Sequence, residues 1–316
     1  MTRTTKNLSV LGKHFASEDA ARELLESLRW PNGPVCPHCG GDNPYRLTPK
    51  ATSKAPGRKG LLKCRACRKQ FTVTVGTIFE HSHIPISKWL LGIHLLCASK
   101  KSMSAHQLHR MLDITYRAAW FMAHRLREAM STEPMQLSGI VEADETYIGG
   151  PRRRRVGRPG PNDAVKTPVM ALVERGGRVR AFPIDRVTGE NVQRIMRREV
   201  SLDAHVMTDE LHAYDGCSMG FRKHDTIKHS AGSYVRGNIS TNTVEGFFGL
   251  LKRGIIGSFH HVSRGHLARY CDEFAFRYSN RTVSDGERAA MLVTGAEGKR
   301  LTYKERSNSP AESANA

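Results

Sequence analysis

Ile140-Val141-Glu142-Ala143-Asp144-Glu145-Thr146-Tyr147-Ile148 is the stretch on which the fold of this chain turns. Its apolar, β-branched opening predicts a strand over 139–148, with Asp144 late in it. Two more strands are expected near 167–174 and 178–184, then a helix over 189–200 and a strand over 204–208. A short strand near 226–229 and helices over about 241–253, 263–278 and from Asp285 follow. Three strands, a helix, a strand and further helices predict an α/β layered domain. An Arg-, Gly- and Pro-rich loop spans 149–161, and the polar end, 303–316, reads as disordered.

Upstream the pattern is different. Ser17 caps an expected helix over 17–28, with Ala20, Leu24, Leu25 and Leu28 on one face, stopped by Pro31, Gly33 and Pro34. Helices are also expected over 87–99 and, with a break at 113–115, over 103–130. Between them stand Cys36-x2-Cys39 and Cys64-x2-Cys67, separated by 24 residues. Each pair forms a tight knuckle offering two thiolates, and two knuckles complete a closed tetrahedral site for one structural Zn²⁺. Gly40 and Gly41 follow the first knuckle, and Phe71, Val73 and Val75 alternate after the second as a ribbon strand would. His38 sits inside a knuckle and is expected to face solvent, whereas Cys97, Cys217 and Cys271 read as small buried apolar residues.

Charge narrows the partner. In 316 residues, 49 Lys and Arg against 30 Asp and Glu leave a net +19, which calls for a polyanion, and nucleic acid is the fitting one. The charge is clustered, in Lys50, Lys54, Arg58, Lys59, Lys63, Arg65, Arg68 and Lys69, and again in Arg152, Arg153, Arg154, Arg155 and Arg158. Contacts of this kind release counterions and weaken with salt. No secretory leader is read, and the apolar run from Trp89 to Ala98 is too short to span a bilayer, so a cytoplasmic protein with reduced thiols and no membrane partner is expected. Residues 104–112 and 116–130 have helix-turn-helix proportions, with Thr115 as a cap. Tyr116, Ala119, Trp120, Ala123, Leu126 and Met130 form its core stripe, which leaves Arg117, His124 and Arg125 to meet DNA.

Three acids stand out by context: Asp144 late in its strand, Asp209 just past the strand 204–208, and Glu245 in the first turn of the helix after Thr241. Hard oxygen donors gathered there suit two Mg²⁺ or Mn²⁺ ions, with Asp144 bridging both while Asp209 and Glu245 each hold one. Glu142, Glu145 and Glu210 are neighbouring acids that context alone does not set aside. Strand alternation points Asp144 and Glu145 to opposite faces, so only one of them should face the site. On the following helix, Glu245, Gly249 and Lys252 share a stripe beside the buried Val244, Phe247, Phe248 and Leu251. Lys252 could thus meet a phosphate, with Gly249 leaving room for DNA.

The runs Ala143-Asp144-Glu145-Thr146-Tyr147-Ile148-Gly149-Gly150 and Thr241-Asn242-Thr243-Val244-Glu245-Gly246-Phe247-Phe248-Gly249-Leu250-Leu251-Lys252-Arg253-Gly254 resemble the motifs of zinc-ribbon DDE transposases of bacterial insertion sequences, the ISXO-like group. The similarity runs from the ribbon to about Asn280. It implies an RNase H-like core whose metal-holding, catalytic triad is Asp144, Asp209 and Glu245, with 35 residues between the last two. The group's following lysine falls on Lys252, and Lys252, Arg253 and the Arg152–Arg155 loop become DNA contacts. The domains expected are a helical segment (1–34), a zinc ribbon (35–80), a helix-turn-helix-like region (81–135), the RNase H-like catalytic domain (136–300) and a disordered tail (301–316). The implied function is cleavage and strand transfer at the element's terminal inverted repeats into double-stranded target DNA, by a homodimer or higher oligomer in the bacterial cytoplasm. A zinc-ribbon DNA-binding regulator and an RNase H-like nuclease without strand transfer are the alternatives.

Overall fold

The computed structural model describes residues 17–47, 59–131, 135–149, 166–218, 220–227 and 240–302. In chain order the regular elements are α1 (Glu18–Arg29), β1 (Pro44–Arg46), β2 (Leu62–Cys64), β3 (Gln70–Phe71), α2 (Ile86–Ala98), α3 (Ala105–Leu112), α4 (Tyr116–Met130), β4 (Ile140–Ile148), β5 (Thr167–Glu174), β6 (Val179–Pro183), α5 (Gly189–Glu199), β7 (His205–Thr208), β8 (Lys223–Thr226), α6 (Asn242–Gly254), α7 (Arg264–Ser279) and α8 (Asp285–Thr294). The described residues fall into two compact units, one built from those of 17–130 and 282–302, the other from those of 131–281. Among the described residues no helix is long and apolar enough to cross a membrane.

In the first unit an antiparallel β1-β2-β3 ribbon accompanies the helices. Ser17 caps α1 as expected, its Oγ accepting from the Ala20 N–H at 3.1 Å. Glu18 then caps a different helix: its carboxylate accepts from the N–H groups of Ile86 (2.6 Å) and Ser87 (3.1 Å) at the start of α2. Arg29, at the other end of α1, donates to the carbonyls of Val73 and Val75 at 2.7 and 2.8 Å. Strand β3 stops at Phe71, so Val73 and Val75 lie in a turn closed by Val75 N–H to Thr72 O, not in the longer ribbon strand expected. The domain expectation also changes at its far end. Residues 282–300 are expected with the catalytic domain, yet α8 packs on α2, α1 and α4. Arg288 of α8 donates to the Cys97 carbonyl at 2.7 Å, and Ser284 with Glu287 forms its capping box. Leu301 and Thr302, placed in the tail by sequence, are described, and Leu301 is buried; 303–316 lies outside the described residues.

The second unit is a five-stranded sheet of order β6-β5-β4-β7-β8. The β6-β5-β4 side is antiparallel, and β4-β7-β8 is parallel. This antiparallel meander continued by parallel strands is the RNase H-like arrangement the resemblance implied. Strand alternation divides the core. Val141 and Ala143 pack with α5 residues Val192, Ile195 and Met196 on one face. Ile148, Val169 and Ala171 pack with Val244, Phe247 and Leu251 of α6 and with Phe274 of α7 on the other. Strand β8 lies three residues earlier than the expected 226–229, at Lys223–Thr226, because parallel pairing with β7 sets its register, His205 opposite Lys223. Its Asp225 is tied to His205 and Lys223 at 2.7 Å each.

Gly254 ends α6 against α7. A Cβ there would stand 2.0 Å from Cζ of the fully buried Phe274. Gly254→Ala is therefore expected to destabilise by about 1–3 kcal/mol, more than the gain in helix propensity of about 1 kcal/mol. Thermal denaturation should show the loss, whereas Gly246→Ala, whose Cβ would meet nothing within 4 Å, should leave the midpoint unchanged or raised.

Candidate active site

The site grows from the centre of the sheet. In the parallel pair β4–β7, Glu142 lies opposite Met207. Carrying that register forward two residues sets Asp144 beside Asp209, just beyond the last residue of β7. Strand β7 ends at Thr208, fully buried and hydrogen-bonded through Oγ1 to His224 Nε2 at 2.9 Å. Asp209 then turns away from the strand, its Oδ1 accepting from the Leu211 N–H at 3.1 Å.

Three carboxylates meet there. Asp144, Glu145 and Asp209 each place an oxygen so that all lie within 4.8 Å of one another. The expectation that only one of Asp144 and Glu145 could face the site is corrected. Glu145 does start on the opposite face, where the hydroxyl of the buried Tyr214 donates to its Oε2 at 2.9 Å. Strand β7 ends at Thr208, so the β4 edge on that side has no strand partner at this level, and the Glu145 carboxylate comes within reach of Asp144 and Asp209 there. Glu210 is exposed and is not part of the group.

Burial raises the Asp144 carboxyl to about 7. The Glu145 N–H, which donates to its Oδ1 at 2.7 Å, offsets this, while the charges of Glu145, Asp209 and Glu245 add to it. Glu145 is raised too, first by burial, with the Tyr214 hydroxyl acting in the opposite sense. Such a pocket of half-buried acids repels itself and is relieved by a cation.

Glu245 lies in the first turn of α6, exposed and outside the tight group, though its charge acts on Asp144. The Thr241 hydroxyl donates to its Oε1 at 3.2 Å. Lys252 and Arg253 are exposed on the last turn of α6. The open space expected at Gly249 is occupied, because the Arg253 guanidinium folds back until a Cβ on Gly249 would lie 3.2 Å from its Nη1. The clear backbone approach beside Glu245 is at Gly246 instead.

The ribbon cysteines also converge. The four sulfurs of Cys36, Cys39, Cys64 and Cys67 lie within 4.8 Å of one another. Both knuckles are closed alike: Gly40 N–H donates to Cys36 O, and Arg68 N–H to Cys64 O. Gly40 and Arg68 take the left-handed backbone these turns need, at φ 74° and 62°. The Cys67 N–H points at Cys64 Sγ and lowers that thiol to about 7, so a thiolate is readily formed. A Cβ on Gly41 would stand 3.5 Å from Cys64 Sγ and 3.6 Å from Cys39 Sγ, in ordinary contact, so Gly41 lines the cradle of the sulfurs. The donor set suits a closed zinc site. His38 is exposed, as expected, with its ring edge-on to Phe71. Cys97 and Cys271 are buried, and the side chain of Cys217 lies outside the described residues.

Three helix-turn-helix expectations change. Thr115 caps α4 through Ala118 N–H at 3.2 Å, and Arg117 is exposed, but Tyr116 is 44% exposed and stacks on His106 instead of entering the core. Arg125, read as a DNA contact, is 6% exposed; its guanidinium donates to the carbonyls of Leu301, Ile78 and Glu80. His124 is fully buried. Helix α4 is covered more widely than its apolar stripe suggests, since α8 returns onto it from a distant part of the chain. Arg152, Arg153, Arg154 and Arg155 lie outside the described residues.

The ISXO2-like transposase domain family matches residues 136–279, and the transposase zinc-ribbon domain family matches 16–70. An uncharacterised protein in transposable element ISH50 of Halobacterium salinarum is 28% identical over 280 residues, covering 84% of this chain and 92% of its own. Solved structures overlap less. A chain of the simian T-cell lymphotropic virus intasome in complex with PP2A regulatory subunit B56 gamma is 14% identical at a TM-score of 0.29, over 60% of this chain and 65% of its own. The Mos1 strand transfer complex is 11% identical at 0.27, over 67% and 79%. The chain thus carries an ISXO2-like transposase domain over 136–279, preceded by a transposase zinc-ribbon domain over 16–70.

Proposed function

We propose that this chain cuts DNA at the ends of its own insertion sequence and joins them to target DNA, using two Mg²⁺ or Mn²⁺ ions held by Asp144, Asp209 and Glu245. The observation that carries the reading is the meeting of Asp144 and Asp209 at the ends of adjacent parallel strands, with the Glu245 charge acting on the same point. Bound divalent ions would activate the attacking oxygen and stabilise the leaving one. The residues do the rest. Asp144, Asp209 and Glu245 would supply the oxygen ligands that hold these ions. Lys252 and Arg253 neutralise phosphates along the helix that presents Glu245, and Arg117 with the Arg152–Arg155 loop extends the DNA contact. The ribbon holds one zinc through Cys36, Cys39, Cys64 and Cys67 and serves end recognition. Joining two ends needs two active sites, so a dimer or higher oligomer on DNA is expected.

The test is strand transfer from a precut end carrying a free 3′-hydroxyl, with Mg²⁺ and a supercoiled target. Joined product supports the proposal. Nicking without joining would make the protein a nuclease, and end binding with neither reaction would make it a regulator.

The raised Asp144 carboxyl gives a pH prediction. Its ordinary value is 3.8 and its folded value about 7, so its contribution to metal-free stability is full below pH 3.8 and is lost as pH rises through about 7. Melting of the metal-free second unit should therefore fall between pH 5 and 8, and added Mn²⁺ should restore it most at the alkaline end. A melting point that rises over this range in the absence of metal would contradict the account.

A further inference from the structure

We infer that Glu142 is a positioning residue, which sets the Glu245 helix against the strand that carries Asp144. The inference rests on the metal-dependent reading above. Glu142 is an acid buried at 0% exposure, two residues before Asp144 and on the same face of β4. Its Oε2 accepts from the backbone N–H groups of Thr243 (2.8 Å) and Val244 (3.0 Å). Its Oε1 accepts from Thr243 Oγ1 at 2.8 Å and from Arg175 Nε at 2.6 Å. The amides belong to the first turn of α6, immediately before Glu245.

Helix α6 gets no side-chain cap from its own N-cap residue Thr241, whose hydroxyl is turned to Glu245. The cap comes instead from β4. Helix starts need acceptors for their first N–H groups, and a carboxylate there also meets the positive end of the helix dipole. Supplied from another element, the cap fixes where the helix begins and how it is rotated. Arg175 extends the clamp. From the β5–β6 turn, its Nη2 donates to the carbonyl (3.1 Å) and hydroxyl (2.7 Å) of Ser240, just ahead of α6. Its own N–H donates to Ile140 O at the root of β4.

A buried ion pair does little for stability compared with apolar packing of the same volume. What this one adds is a specified geometry between two elements, each bearing one acid of the site. Groups that orient metal-holding side chains typically change metal affinity or activity by about 10–100-fold when removed.

The experiment titrates Mn²⁺ into the zinc-loaded full chain without DNA and reads free Mn²⁺ by electron paramagnetic resonance, then measures joining of a precut end. Glu142→Gln keeps the shape, but its amide must turn a donor toward Arg175 or toward α6. It is expected to weaken Mn²⁺ binding and slow the joining step by about 10–100-fold, with the DNA-end Kd unchanged. Glu199→Gln is the control for general instability, since Glu199 is also buried and paired with Arg180 and Arg198 but sits at the end of α5. It should lower melting without changing Mn²⁺ affinity. Asp144→Asn separates the two readings. If it leaves Mn²⁺ binding intact, the acidic site itself is misassigned. If it abolishes binding while Glu142→Gln binds Mn²⁺ like the parent, only the clamp is overturned. Should Glu142→Gln fail to fold, Arg175→Lys, which keeps the charge but loses the fork to Ser240, is judged by the same criteria.

Discussion

Asp144→Asn is expected to abolish cleavage and strand transfer while making the metal-free protein more stable at pH 8. The asparagine keeps the size of the side chain and an oxygen for the Glu145 N–H, which donates to Asp144 Oδ1 at 2.7 Å. It removes the negative charge that a divalent cation needs. Metal stabilisation of the transition state amounts to several kcal/mol, and losing about 4 kcal/mol corresponds to about 10³-fold in rate. The stability change has the opposite sign. At pH 8 the Asp144 carboxyl, whose folded value is about 7, is forced to ionise while half-buried beside Glu145 and Asp209. A neutral amide escapes that repulsion, so melting should rise without metal, and Mn²⁺ should no longer raise it further. DNA-end binding measured by gel shift should be preserved, since the ribbon and basic residues are untouched. A variant that still joins DNA in Mg²⁺ would sink the assignment of Asp144, and one that melts earlier at pH 8 would contradict the electrostatic account.

Cys36→Ser has the second large effect, at the other metal centre. Structural zinc in small cysteine sites contributes apparent binding energies of about 10–16 kcal/mol, which the local fold depends on. Around this site β1–β3 are only two or three residues long each, so short strands alone cannot hold the knuckles together. The packing of Phe71 edge-on to Trp30, with ring centroids 6.0 Å apart, depends on the ribbon keeping its shape. The variant should lose its zinc, seen as one equivalent fewer by elemental analysis, and lose specific end binding. Mn²⁺ binding by the acids and nicking of nonspecific DNA in Mn²⁺ should survive, because Asp144, Asp209 and Glu245 belong to the second compact unit. Unchanged zinc content would show that these four cysteines are misassigned.

Local pattern was legible wherever one residue's neighbours in sequence are also its neighbours in space. The apolar, β-branched opening of Ile140–Ile148, the stripe of Val244, Phe247, Phe248 and Leu251, and the caps at Ser17 and Thr115 all depend on contacts within a few residues. The two Cys-x2-Cys pairs are likewise local, and the sulfurs converge as their spacing implies. The choice of Asp144 over Glu145, by contrast, leaned on motif resemblance. The structure shows why physics alone left it open: both carboxylates reach the same point.

Sequence by itself therefore determined the strands, helices and caps, the four-cysteine cradle and the acids from which a site could be built. Tertiary structure alone decided which residues those elements meet. Glu142 looked like a spare acid because its partners, Thr243, Val244 and Arg175, lie 33 to 102 residues away. Arg125 looked like a DNA contact because its covering partner Leu301 lies 176 residues away. The physical reason is common to both. A charged side chain carries no mark of burial in the local pattern, and its role is set by which distant donors or acceptors replace water around it. For the three carboxylates of the proposed site, the sequence supplied the charges. The parallel pairing of β4 with β7 brings Asp144 and Asp209 together, and the contacts of Glu142 tie the first turn of α6, which carries Glu245, to the same strand.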